Sequence, residues 1–203
     1  MITKDEPGLT SLQRGIAKKE QFAMVLKEYL PKVEGAVVEL GVHKGLGIEI
    51  LLEALKDAGQ KRHIYGFDSW EPFPQLQSPD LIEQSAAIRL TRDHISQTPL
   101  LVKAYLINEG YSMNDFTLIK GWIKDSLPSF DKPIALAMVD LDVYVSYKET
   151  LPILWPKVSI GGAVFFDEYN SSKWPGCKVA VDEFLMAVPH KLEGGFRWWA
   201  QKL

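Results

Sequence analysis

Cysteine is nearly missing from this chain: Cys177 is the single one in 203 residues. One thiol closes no intrachain disulfide and builds no multi-cysteine zinc centre, so stability has to come from a packed core, as in proteins of reducing compartments. Cys177 itself reads as a small packing residue. Histidine is sparse as well, and His43, His63, His94 and His190 show none of the His-Glu-x-x-His spacing of a zinc enzyme. No stretch approaches the ~20 consecutive apolar residues of a membrane-spanning helix. A basic run of five or more residues is also lacking. With a net charge of -3 and a pI near 5.8, the chain has no electrostatic footprint for nucleic acid. The opening residues Met1 to Gly8 are polar and mixed in charge, without the basic-then-apolar layout of a secretory signal. These absences leave the expectation of a soluble, cytoplasmic protein that acts on a small molecule, with no membrane or nucleic-acid partner.

What is present is an alternation of short apolar runs and helical patterns, without repeats or linker-like tracts, so residues 1–203 read as one domain. Leu12, Ile16, Phe22, Val25, Leu26 and Leu30 recur at helical spacing, which predicts an N-terminal helical cap within residues 1–32. Strands are expected at Ala36 to Leu40, His63 to Phe67, Phe116 to Lys120, Ile134 to Val139 and Ala163 to Phe166. Helices are expected at Leu46 to Ala58, Ser146 to Trp155 and Lys178 to Val188, with a helical insert at 78–113. Strands alternating with helices build an α/β fold, a largely parallel Rossmann-like sheet covered on both faces. The Gly194-Gly195 turn near the end predicts a hairpin, and so an antiparallel C-terminal strand.

In such a sheet, ligands bind beyond the carboxyl ends of the strands. There the sequence places Glu39-Leu40-Gly41-Val42-His43-Lys44-Gly45-Leu46-Gly47. Gly41 permits a sharp turn, and Gly45 and Gly47 remove side chains where backbone must approach a ligand. The spacing differs from the Gly-x-Gly-x-x-Gly of dinucleotide binders, and Glu39 offers a negative charge to a cationic group. A tight βα turn without a ligand is the alternative. Asp68-Ser69 ends the second strand, where an acid accepts hydrogen bonds from ribose hydroxyls or caps the next segment. After the third strand, Gly121-Trp122 offers backbone and a flat ring to a base, or simply packs.

Carboxylates gather at the same sheet edge. Asp140 and Asp142 follow the fourth strand, and Asp167 and Glu168 follow the fifth. Such a cluster repels itself unless a cation offsets the charge. A hard divalent ion such as Mg2+ takes oxygen ligands, which suits Asp140, Asp167 and Glu168, with Asp142 directly bound or one step removed. Caps and solvated acids are the competing explanation.

Taken in order, these blocks resemble the macrocin O-methyltransferase family. The residues that carry the likeness are Val38 to Val42 with Lys44-Gly45, Gly66 to Glu71, and Lys120 to Trp122 with Asp125 to Pro128. Further on, Asp140 to Tyr144, Gly161 to Tyr169, and Pro175 to Lys178 leading into Ala180 to Phe184 also match. The resemblance implies a class I methyltransferase fold with a seven-stranded sheet, and S-adenosyl-L-methionine as cofactor held around Glu39 to Gly45 and at Asp68. It also implies Mg2+ at Asp140, Asp167 and Glu168, and a small-molecule hydroxyl, on a sugar or a related acceptor, as the methylated group. The family pattern often has Asp-Asp-Tyr where this chain has Asp167-Glu168-Tyr169, and Gly or Ala where Leu141 stands. The 78–113 insert, expected near the acceptor, shows the least likeness. A bound hydroxyl needs a base, for which His94 and Asp142 are candidates beside Asp140. The rival readings are an NAD-dependent oxidoreductase of similar fold and a non-catalytic cofactor-binding protein. A homo-oligomer is open, with Trp198-Trp199 and the first helix as either contact surface or core.

Overall fold

The computed structural model describes residues 9–80 and 97–203. Its strands are β1 (Ala36–Leu40), β2 (Ile64–Asp68), β3 (Phe116–Lys120), β4 (Ile134–Val139), β5 (Val158–Phe166), β6 (His190–Glu193) and β7 (Trp198–Lys202). They form a seven-stranded sheet in the order β3-β2-β1-β4-β5-β7-β6. β1 pairs in parallel with both β2 and β4, so the strand order reverses there and opens a crevice at the carboxyl ends. β7 runs antiparallel to β5 on one side and to β6 on the other. The hairpin expected at Gly194-Gly195 is therefore present, but its second strand inserts inside the sheet and leaves β6 at the edge.

Alternation along the central strands sends side chains to two cores. Val38 and Leu40 of β1, Val139 of β4 and Phe166 of β5 face α4 (Ile123–Ser126), α5 (Tyr144–Leu154) and α6 (Pro175–Leu185). Val37, Met138 and Phe165 face α1 (Ser11–Glu28), α2 (Leu46–Asp57) and α3 (Pro99–Asn108). Cys177 is buried in the first core, as a packing residue should be. Among the described residues no helix is long and apolar enough to cross a membrane.

α1 begins with a capping box: Thr10 Oγ1 accepts from the Gln13 amide, and the Gln13 side chain accepts from the Thr10 amide. Its apolar face is fully buried at Phe22, Val25 and Leu26, each contributing about 1.5–3 kcal/mol relative to exposure. Phe22 meets Phe165 edge-on at 4.7 Å, and Phe165 stacks on Trp199 at 5.6 Å. Trp199 is thus core, while Trp198 packs against Tyr169 at 5.2 Å.

Several boundaries differ from expectation: β2 is shifted by one residue, α2 and α5 end one residue early, and α6 runs from Pro175 to Leu185 rather than from Lys178 to Val188. Two further differences have a visible cause. β5 starts at Val158 rather than Ala163 because Gly161 and Gly162 carry the strand past a register shift opposite β4. α5 starts at Tyr144 because its first turn is held from outside: Asp80 accepts from the Tyr144 amide and, at 2.9 Å, from the Gly176 amide at the start of α6. One buried carboxylate thereby caps two helices. Of the 78–113 insert, α3 is helical as expected. His94, the candidate base there, lies outside the described residues.

Candidate active site

The turn after β1 exists because glycine permits it. Gly41 has φ +96°, and a Cβ there would lie 1.9 Å from the Asp140 carbonyl oxygen, so the ends of β1 and β4 approach only over a bare Cα. Gly47 opens α2 for a different reason: a Cβ would stand 1.6 Å from Glu39 Oε1, so its absence makes room for the Glu39 carboxyl. Gly45, φ +92°, makes the turn and lets Val102 of α3 pack behind the loop. It lines neither of the cavities described below.

Three non-glycine residues hold left-handed dihedrals at the strand ends: His43 after β1, Trp70 after β2 and Asp142 after β4. Backbone strain of this kind collects at binding sites, where surrounding contacts enforce it. Asp68 supplies part of that enforcement. Its Oδ2 accepts from the His43 amide at 2.8 Å and its Oδ1 from the Trp70 amide at 2.6 Å, while Trp70 Nε1 donates to the His43 carbonyl. Asp68 thus ties the two turns together, and each oxygen keeps a lone pair for a ligand.

Two cavities meet at the crevice. One is lined by Asp68, Ser69, Phe73, Trp122 and Leu141, and the other by Arg14, Lys18, Glu39, Val42, His43 and Gly47. Gly41, Asp140 and Asp142 line both, so the cavities join there. Gly121 has φ +147° and donates its amide to the Asp68 carbonyl; it shapes the turn that delivers Trp122 and lines neither cavity.

Glu39 is 1% exposed, and its Oε2 has no hydrogen-bond partner among the described residues. Burial pushes its carboxyl well above the usual glutamate range; Asp140, Asp68 and Asp167 add to this and Lys18 opposes it. A buried carboxyl oxygen left open beside a cavity calls for a donor or a cation from a ligand.

At the far side of the crevice, carboxylate oxygens of Asp140, Asp142 and Glu168 lie within 4.8 Å of one another. Glu168 Oε2 is 3.1 Å from the Tyr147 hydroxyl, which also reaches the Val139 carbonyl at 2.8 Å. Asp167, expected in this set, instead has Oδ1 2.7 Å from both Lys18 Nζ and Arg197 Nε. The chain therefore brings Asp142 into the three-oxygen group and turns Asp167 toward two cations. Burial pulls the Lys18 ammonium down in pKa, but Asp167 and Asp140 outweigh it and the net direction is upward.

Lys18, Arg14 and Arg197 were not anticipated from sequence. Lys18 had a signal: it lies four residues before Phe22 and seven before Val25, a charge on the apolar face of a helix. Arg197 had none. The sequence also holds a Tyr-x-x-x-Lys pair at Tyr144 and Lys148, the spacing some nicotinamide-dependent reductases use, so the oxidoreductase reading does not fail for lack of that motif. Tyr144 and Lys148 contact each other and Glu183 of α6, and neither is among the described residues that line the two cavities of the crevice.

The parallel sheet reversed at β1, the inserted β7 and the glycine-turned crevice define a class I, Rossmann-like methyltransferase fold. A family model described as Macrocin-O-methyltransferase (TylF) matches residues 2–193, and the chain belongs to that family of O-methyltransferases. Over 186 residues it is 28% identical to the Demethyldecarbamoylnovobiocin O-methyltransferase of Streptomyces niveus, covering 89% of this chain and 70% of the relative. Over 193 residues it is 27% identical to the 8-demethyl-8-(2,3-dimethoxy-alpha-L-rhamnosyl)-tetracenomycin-C 4'-O-methyltransferase of Streptomyces olivaceus, covering 91% and 71%. Among solved structures, the O-methyltransferase NovP superposes with a TM-score of 0.77 at 25% identity, over 93% of this chain and 81% of that one. The calicheamicin methyltransferase CalS11 shares the fold with a TM-score of 0.72 at 24% identity, over 95% and 80%.

Proposed function

We propose that the chain transfers the methyl group of S-adenosyl-L-methionine to a hydroxyl of a sugar carried by a small natural product, assisted by a divalent ion such as Mg2+. The observation that carries the cofactor reading is the open, buried Oε2 of Glu39 beside the Gly41 to Gly47 turn. The cofactor's methionine end brings an ammonium and a sulfonium, which match that oxygen. Its adenosine end matches the cavity of Asp68, Ser69 and Trp122, where Asp68 would accept from the ribose hydroxyls and Trp122 would lie against the base. Methyl transfer is an in-line displacement, so the chain's main task is to hold the acceptor oxygen close to the methyl and aligned with it.

The oxygen donors of Asp140, Asp142 and Glu168 suit a hard ion in number, charge and spacing. Bound there, Mg2+ would lower the pKa of an acceptor hydroxyl and orient it. Asp140 and Glu168 are the principal ligands in this reading. Asp142, on the turn after β4 and at the junction of both cavities, would take the hydroxyl proton. The sugar acceptor is supported by the relatives, one of which is named for a rhamnosyl compound.

Calorimetry with S-adenosylhomocysteine and with NAD tests the cofactor. Binding of the first at micromolar-range concentrations, with Glu39→Gln weakening it about tenfold, is the expected result. Tighter binding of NAD would overturn the reading. Incubation with glycosylated natural products and mass spectrometry then tests the acceptor through the gain of one methyl.

A further inference from the structure

The acidic end of the sheet already contains a cation. Lys18 shares the face of α1 that carries Phe22 and Val25, so docking of that face on the sheet draws its ammonium inward. Nζ stops 2.7 Å from Asp167 and 3.8 Å from Asp140, with a tenth of the side chain exposed. Asp140 is also a member of the three-oxygen group at the junction of the two cavities. A divalent ion in that group and the Lys18 ammonium would therefore draw on the same carboxylate, two like charges close together, with Lys18 nearly buried and Asp140 partly open to water.

We infer that Lys18 is a built-in rival of the divalent ion, balancing the carboxylates before the ion binds and lowering the site's affinity for it. The inference rests on the proposed reading of Asp140 and Glu168 as ligands, with Asp142 beside them. Lys18 is held at its post by the docking of its helix. Gln21, one turn further along α1, donates to the Arg197 carbonyl at 2.8 Å and accepts from the Arg197 amide at 2.6 Å. Arg197 in turn shares Asp167 Oδ1 with Lys18. An ion that recruited Asp167 as well would have to take that oxygen from both cations. Because coupling between two bound charges is reciprocal, ion binding and the seating of α1 through Lys18 oppose each other by the same factor.

Electron paramagnetic resonance of Mn2+ bound to the full chain tests this in the wild type, Lys18→Met and Lys18→Arg. Lys18→Met is expected to bind Mn2+ about tenfold more tightly than the wild type, and Lys18→Arg, which keeps the charge, within about threefold of it. Lys18→Gln makes the same comparison where methionine is not accommodated. The sign decides the matter. A lysine that only props Asp167 in place would, on removal, leave Mn2+ affinity unchanged or weaken it; that result overturns the inference and leaves the metal reading standing. Binding by Lys18→Met alone supports the rivalry in its strongest form. Should neither protein bind Mn2+, the metal reading fails and the inference falls with it.

Discussion

The two sides of the crevice are built from different materials. At the ends of β1 and β2 the walls are backbone: Gly41 lies where a Cβ would strike the Asp140 carbonyl, and Asp68 spends hydrogen bonds on the amides of His43 and Trp70. At the ends of β4 and β5 the walls are charges: Asp167 is balanced by Lys18 and Arg197, and Asp140, Asp142 and Glu168 converge beside it. The backbone side is fixed by short-range sterics before any ligand arrives. The charged side is poised between alternative cations, so its state depends on what binds.

The largest effect that would sharpen this contrast falls on the charged side. Asp140→Asn should lower methyl transfer about 10³-fold, roughly 4 kcal/mol of transition-state stabilisation, while S-adenosylhomocysteine affinity stays within about tenfold. Single-turnover rates and calorimetry read the two quantities separately. Transfer retained within tenfold would mean that the charges at β4 are not where the reaction occurs.

On the backbone side, Gly41→Ala should cost about 3 kcal/mol of folding stability, because neither φ +96° nor the Asp140 carbonyl can yield. Gly59 offers the control: φ is +66° there, but nothing lies within 4 Å of an added Cβ, so Gly59→Ala should cost only about 1 kcal/mol. Urea denaturation measures both, and equal losses would remove the case for a steric wall. Asp167→Asn comes next, at about 2 kcal/mol, since it leaves two buried cations short of a partner while Asp140 can still receive Lys18. The exposed Lys124–Glu149 pair sets the lower bound, with Glu149→Gln changing stability by less than about 0.5 kcal/mol.

The same contrast explains what was legible in the sequence. The glycine turn and Asp68 were readable because the constraint and the residue that meets it lie close together in the chain, on strands whose apolar runs are plain. Expected and observed strands β3 and β4 agree end to end, while β5 reaches back to Val158 because an irregularity at Gly161 and Gly162 interrupts its apolar run without ending the strand. The carboxylates after β4 and β5 were visible as a cluster. Which of them is committed to a cation was not, because the answer comes from Lys18 on the first helix and Arg197 ahead of the last strand, brought together only by the fold. Asp80, capping two helices from a segment read as the start of an insert, was hidden for the same reason.

Glu39 crosses the boundary between the two sides, and its effect on stability is read as a change with pH. It sits in the backbone-built wall, but its carboxyl is raised by burial first and by the acids opposite after that, with Lys18 opposing. The folded chain therefore holds a proton on Glu39 at pH values where the unfolded chain has lost it. That contribution to stability is complete below the ordinary value of 4.5 and disappears as pH climbs through the raised folded value. Glu39→Gln cannot ionise, so its melting temperature should gain on the wild type as pH rises from about 5 to about 9, by about 2–4 °C for each kcal/mol relieved. Adding S-adenosylhomocysteine should narrow the gap at the alkaline end, because the ammonium of the ligand favours the ionised wild-type carboxyl and has less to gain from the amide. A gap independent of pH would place Glu39 among ordinary carboxylates. A gap that the ligand leaves unchanged would mean that the open oxygen is reserved for something other than the cofactor's ammonium.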